Sequence, residues 1–73
     1  MILNKETKHN LEIGDILRFS GCPDYLVTGM WWGKYKNALS VTIQDMRDKR
    51  TIYGMPSSEL YGAEIIKGGK TND

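Results

Sequence analysis

Apolar and polar residues alternate most cleanly in "ALSVTIQD". Leu39, Val41 and Ile43 fall on one side, and Ser40, Thr42 and Gln44 on the other. A period of two belongs to an extended strand with one buried and one wet face. Four more short runs share this branched and aromatic character: "DILRFS", "YLVTGMWW", "RTIYGM" and "AEIIK". In the first, Leu17 and Phe19 share a face with Ile13, while Arg18 points away. Turn-forming clusters separate the runs: Gly14-Asp15, Gly21 to Asp24, Gly33 to Asn37, Arg47 to Arg50 and Pro56 to Ser58. That spacing predicts an all-β domain of small strands. No segment carries a long amphipathic helix. "PSSELYG" predicts one helical turn, with Pro56 early, Ser57 or Ser58 as cap and Glu59 suited to the local dipole.

Residues 1–10 are mostly polar and show no sustained period. They are expected to form a flexible arm, with Ile2 and Leu3 docking weakly. Residues 68–73, "GGKTND", are expected to be a disordered tail. The folded part should then span residues 11–67. A flat sheet this small exposes one face and two edges, and curling hides the face and most of the edge. The prediction is therefore a single five-stranded barrel with one short helical turn and flexible termini.

Several stretches resemble the SH3-like barrels. "IGDILRF" is similar to the Gly-acid-x-apolar opening of many such barrels, including the KOW and Tudor-like branch. "GMPSSELYGAEII" is similar to the closing stretch of SH3 domains, with Gly54, Pro56, Ser57 and Ser58 on the pattern in order. Adjacent tryptophans also open a central strand in SH3 domains. The resemblance implies an SH3-like fold and would give Trp31 and Pro56 places in a peptide groove. The Ala-Leu-Tyr-Asp-Tyr type of opening that builds that groove is missing, and the interval from Trp32 to Pro56 is longer than usual. The resemblance therefore carries the fold and not the ligand. A looser likeness, in size and plainness, is to small phage-encoded regulators of host RNA polymerase.

Composition narrows the chemistry. Seventy-three residues make one domain with a thin stability margin. No apolar run approaches the roughly 20 residues of a membrane span, and the N-terminus reads as neither a secretory signal nor a transit peptide. Cys22 is the only cysteine and His9 the only histidine, so neither an internal disulfide nor a zinc site is expected. A lone thiol suits a reducing cytoplasm. Paired-carboxylate spacing and a phosphate loop are missing, "GKYKN" included, and His9 in a polar tail is a poor base. A non-enzymatic chain without cofactor or metal is expected.

The net charge is +1, but residues 34–50 carry +3 and the remainder −2. Lys34 and Lys36 flank one turn; Arg47, Lys49 and Arg50 occupy another. Into this basic stretch fall two tryptophans. In an extended segment Trp31 and Trp32 point to opposite faces. One arrangement puts Trp32 inside with Leu26 and Met30; the other puts Trp31 inside with Val27. The first is preferred, leaving Trp31 outside near Lys34 and Tyr35. Exposed Trp, Tyr and basic groups match the composition of protein hot spots, and also that of surfaces which stack single-stranded nucleic acid. The near-neutral pI, about 7.8, favours protein. The expectation is a monomeric binding module that docks on a larger cytoplasmic protein, such as RNA polymerase or an associated factor. Its contact residues would be Trp31, Lys34, Tyr35, Lys36, Arg47, Lys49 and Arg50, and direct DNA or RNA binding is the alternative.

Overall fold

The computed structural model describes residues 1–34 and 38–67. Five strands form: β1 (Ile16–Arg18), β2 (Tyr25–Trp32), β3 (Leu39–Asp45), β4 (Thr51–Pro56) and β5 (Glu64–Ile66). All neighbouring pairs are antiparallel, and the sheet order is β4-β3-β2-β1-β5. The fold is thus all-β, and each strand falls where the alternating pattern placed it. The order, with a 3-10 turn between β4 and β5, is compatible with an SH3-like fold. Among the described residues β4 and β5 do not pair, so the sheet is open between them.

β3 is the central staple. Its burial alternates without a break, and Leu39, Val41 and Ile43 enter the core. They meet Leu17 from β1, Val27 from β2, Ile65 from β5, and Leu60 and Ala63 from the segment before β5. Met30, Trp32, Met55, Phe19, Tyr25 and Tyr61 pack around this cluster. Ile13 departs from its expected face and is exposed. Gly14, at φ +100°, turns the chain out of its extended path, and the upstream residue that enters the core is Leu11.

Two bulges set which side chains face outward. Val27 pairs with Ile43 and Gly29 with Thr42, so Thr28 is an extra residue in β2. An inserted residue flips the parity of everything beyond it. Val27 therefore points inward before the bulge, and Met30 and Trp32 after it. Each of the two parity alternatives holds for half of the strand, and Leu26 is not in the core. On the other side of β3, Val41 pairs with Met55 and Ile43 with Ile52. Tyr53 and Gly54 thus both stand opposite Thr42, with Gly54 at φ +62°.

The first ten residues are not an appendage. They hold a 3-10 turn of their own, Thr7–Asn10, the first of two in chain order, where only the later one was expected. Leu3 is 0% exposed, among the most deeply buried side chains. Its N–H donates to the Ala63 carbonyl (2.7 Å), and its carbonyl accepts from the Gly62 N–H (2.9 Å). The Ile65 N–H donates to the Met1 carbonyl (2.7 Å). Residues 1–3 thus run along the free edge of β5, with Ile2 bridged to Glu64. The Asn4 side chain accepts from the Glu6 and Thr7 N–H groups (2.8 and 2.9 Å) and fixes the bend that follows. Polar composition hid this because one leucine and a set of backbone bonds do the anchoring. The expected tail, 68–73, lies outside the described residues.

A buried carboxylate ties the two halves together. Asp15 is fully buried. Its Oδ2 accepts from the Glu12 N–H (2.8 Å) and from Lys67 Nζ (2.7 Å). Lys67 also donates to the Asn10 carbonyl and lies 3.6 Å from Glu12. The residue after β5 thereby clasps the loop before β1.

Candidate functional site

The face of the sheet opposite the core is built by β2, β3 and β4. Trp31 pairs with Ser40, and Ser40 with Pro56, so these three occupy one rung across the strands. Gly29, Thr42 and Gly54 form the next. The Gly54 N–H donates to Thr42 Oγ1 (3.2 Å), and Thr28 Oγ1 donates to the Thr42 carbonyl (3.3 Å). A side chain at Gly29 would meet Thr42 Cβ at 3.4 Å. The two glycines leave backbone bare on either side of Thr42. The result is an open hollow of about 430 Å³, lined by Gly29, Met30, Trp31, Ser40, Thr42 and Gly54. No charged group lines it. Trp31 stands at its rim, 68% exposed, and Tyr53 in the β4 bulge is 80% exposed.

The neighbouring indole is used differently. Trp32 packs on the core and its outer side is covered by His9, whose ring stacks at 5.1 Å and 8°. The preferred assignment, Trp32 within and Trp31 without, matches this geometry. Both rings close β2, whereas in SH3 domains the pair opens a strand.

Among the described basic residues, those of the β3–β4 turn do not assemble with Trp31. Lys34 is exposed in the β2–β3 turn, beside the tryptophans. Tyr35 and Lys36 lie outside the described residues. Arg47, Lys49 and Arg50 lie in the β3–β4 turn, at the far end of β3. Consecutive hairpins share a strand, so their turns fall at its opposite ends. β3 is seven residues long, so the clusters stand roughly 20 Å apart at about 3.4 Å per residue. The far turn also binds its own charges. Asp45 Oδ1 accepts from the Arg47 and Asp48 N–H groups (2.7 and 3.4 Å). The Lys49 N–H donates to the Asp45 carbonyl (2.8 Å) and Gln44 Nε2 to the Lys49 carbonyl (3.2 Å). The Arg50 guanidinium lies 3.7 Å from Asp48, and Arg47 lies 3.9 Å from Asp45. Near the same end, Arg18 donates two bonds to Asp24 (3.0 and 2.9 Å). That hydrogen bonding holds the Asp24 carboxyl below the usual range and raises the Arg18 guanidinium.

Gly29, Ser40, Thr42 and Gly54 were not among the contact residues expected from the sequence. Lone glycines inside two strand patterns were the available sign, since they mark bulges or close approach. Neither Ser57 nor Ser58 caps the second 3-10 turn, Ser57–Leu60: no side-chain cap bond forms, and Ser57 is buried. Among the described residues no group of three or more His, Cys, Asp or Glu is placed to hold a metal, and no helix is long and apolar enough to cross a membrane. No protein-family model matches the chain, nor does any curated protein or solved structure.

Proposed function

We propose that the chain is a non-enzymatic binding module whose outer β2–β3–β4 face docks on a larger protein through Trp31. The observation that supports this is a 68% exposed indole, held on a central strand beside a hollow without charge. A large rigid ring at low entropic cost is what protein hot spots use. Both sheet edges argue for recognition by the face. Residues 1–3 cover β5, and β4 carries a bulge and Pro56, two features that discourage strand addition. Direct DNA or RNA binding is the weaker reading, because phosphate recognition needs contiguous cations and these are split between two ends.

The test compares wild type with Trp31→Ala in thermal melting and in affinity capture, with RNA polymerase tried first on the strength of the sequence likeness. The expected result is an unchanged melting temperature and loss of the captured protein. A collapsed melting temperature, or undiminished capture, overturns the proposal. Tight, steeply salt-dependent binding of a labelled oligonucleotide at two salt concentrations would put nucleic acid in its place.

A further inference from the structure

A knob and a hole lie side by side on the outer β2–β3–β4 face. We infer that this face is self-complementary: two copies of the chain associate reversibly through it, each Trp31 seated in the hollow of the other.

The knob is the Trp31 indole, exposed near the end of β2. The hole is the open hollow of about 430 Å³, with Trp31 at its rim and Gly29, Ser40, Thr42 and Gly54 along it. Glycine at positions 29 and 54 keeps side chains out of that space. Its volume lies in the range of sites that hold a small ring compound, roughly 300–1,000 Å³, so it has room for an indole. A two-fold axis between a knob and the adjacent hole places each knob in the opposite hole. Such a contact is isologous and closes at two copies, so it builds no filament. Another protein would have to bring a matching pair of features, whereas a second copy carries that pair already.

Charge favours the same occupant. In a two-fold contact a group near the axis meets its own copy, so a charged surface repels itself. The outer side of β3 carries Ser40, Thr42 and Gln44, with Thr28 and Trp31 beside them on β2 and Tyr53 on β4. No Asp, Glu, Lys, Arg or His is among them, in a chain where 26% of residues are charged. Lys34 follows beyond the end of β2. The net charge of +1 adds little repulsion between whole chains. The sheet edges offer no easier route to a pair, because residues 1–3 cover β5 and β4 carries a bulge and Pro56.

The face is small. Three strands about 4.8 Å apart, on the seven-residue length of β3, project on the order of 350 Å². A standard interface buries about 800 Å² per partner, so this contact is weak and exchanges with the free chain. Where Trp31 docks on a larger protein, a second copy competes for the same ring, and concentrated chain masks its own docking face. That consequence rests on the docking reading, and the self-contact does not. Neither measurement below needs the larger protein, so the two can fail separately.

The full chain is taken through sedimentation equilibrium from about 10 µM to about 1 mM, a span that covers a weak dimer. The average mass should climb from that of one chain toward that of two. With nitrogen-15 labelling, the amides of Gly29, Trp31, Ser40, Thr42 and Gly54 should shift with concentration, and those of the β3–β4 turn and of β5 should not. Trp31→Ala should weaken association at least about tenfold, the scale of a hot-spot ring. Ser40 shares a rung with Trp31, next to the axis. Ser40→Asp and Ser40→Lys should therefore each stay single alone, and an equal mixture of the two should associate again. Recovery on mixing shows that both variants are folded, so the result does not hang on the folding of Trp31→Ala. A mass that stays at one chain throughout overturns the inference. So do shifts centred on the β3–β4 turn or on β5, undiminished association in Trp31→Ala, or no recovery when the two Ser40 variants are mixed.

Discussion

The two ends of β3 carry similar residues and put them to different use. At its Asp45 end, the charges are folded back on the turn. Asp45 accepts from the backbone of the residues that follow, and Arg47 and Arg50 lie beside Asp45 and Asp48. At its Leu39 end, side chains face outward or line open space. Trp31 rims one hollow, and Lys8, with Ser57, Ser58 and Tyr61, lines another. Charge count alone would favour the Asp45 end as the contact surface. The difference shows that a basic turn serves itself first when its acids occupy Asx positions, while open space collects where the strands leave a rung bare.

The contrast can be broken by mutation. The largest effect is expected at the segment that supports the Leu39 end. Leu3→Ala should cost about 2–5 kcal/mol, since a fully buried leucine leaves both lost burial and a cavity. Urea unfolding measures it, and a loss under about 0.5 kcal/mol, typical of a surface change, would return residues 1–10 to the status of an arm. Asp45→Ala comes next. Removing the acceptor of two turn N–H groups should cost about 1–3 kcal/mol. It should leave Trp31-dependent capture intact, and a loss of capture at full stability would make this end part of the contact surface.

Smaller changes sharpen the same picture. Lys49 sits at φ +69°, where a side chain is strained. Lys49→Gly should therefore stabilise by about 0.5–1 kcal/mol, the strain relieved less the backbone entropy added. A lower melting temperature would show that the lysine side chain contributes more than the turn geometry. The smallest effect is expected at Asp24. Its carboxyl is held below the usual range by hydrogen bonds from Arg18. The sign follows from linkage. The contribution is complete above the ordinary carboxylate range and is lost as the pH falls through the lower folded value. Asp24→Asn should melt slightly below wild type at neutral pH and level with it in strong acid. A gap that persists in acid would have another cause. The pair is solvent-exposed, so the gap should be small and shrink with salt.

The strand plan was legible because each strand signals itself locally. Period-two alternation in β3, turn formers between runs, and Pro56 before a short polar segment are properties of neighbouring residues. They placed five strands and the second 3-10 turn, and they split the tryptophans correctly. The misses are non-local. Ile13 left its face because of one positive-φ glycine. Leu3 became core through bonds to residues some sixty positions away. Arg47, Lys49 and Arg50 lie away from Trp31 because hairpin order, not charge spacing, decides which turns share an end.

By itself the sequence determined that this is an all-β chain with one tryptophan of an adjacent pair turned outward, because a pleated backbone alternates its side chains whatever surrounds it. Only the tertiary structure decided where the bulges fall, which residues meet across Thr42, that a polar N-terminus closes an edge, and that Lys8 lines a hollow with Ser57, Ser58 and Tyr61. Those outcomes rest on contacts between residues far apart in the chain, and such contacts leave no period in the sequence.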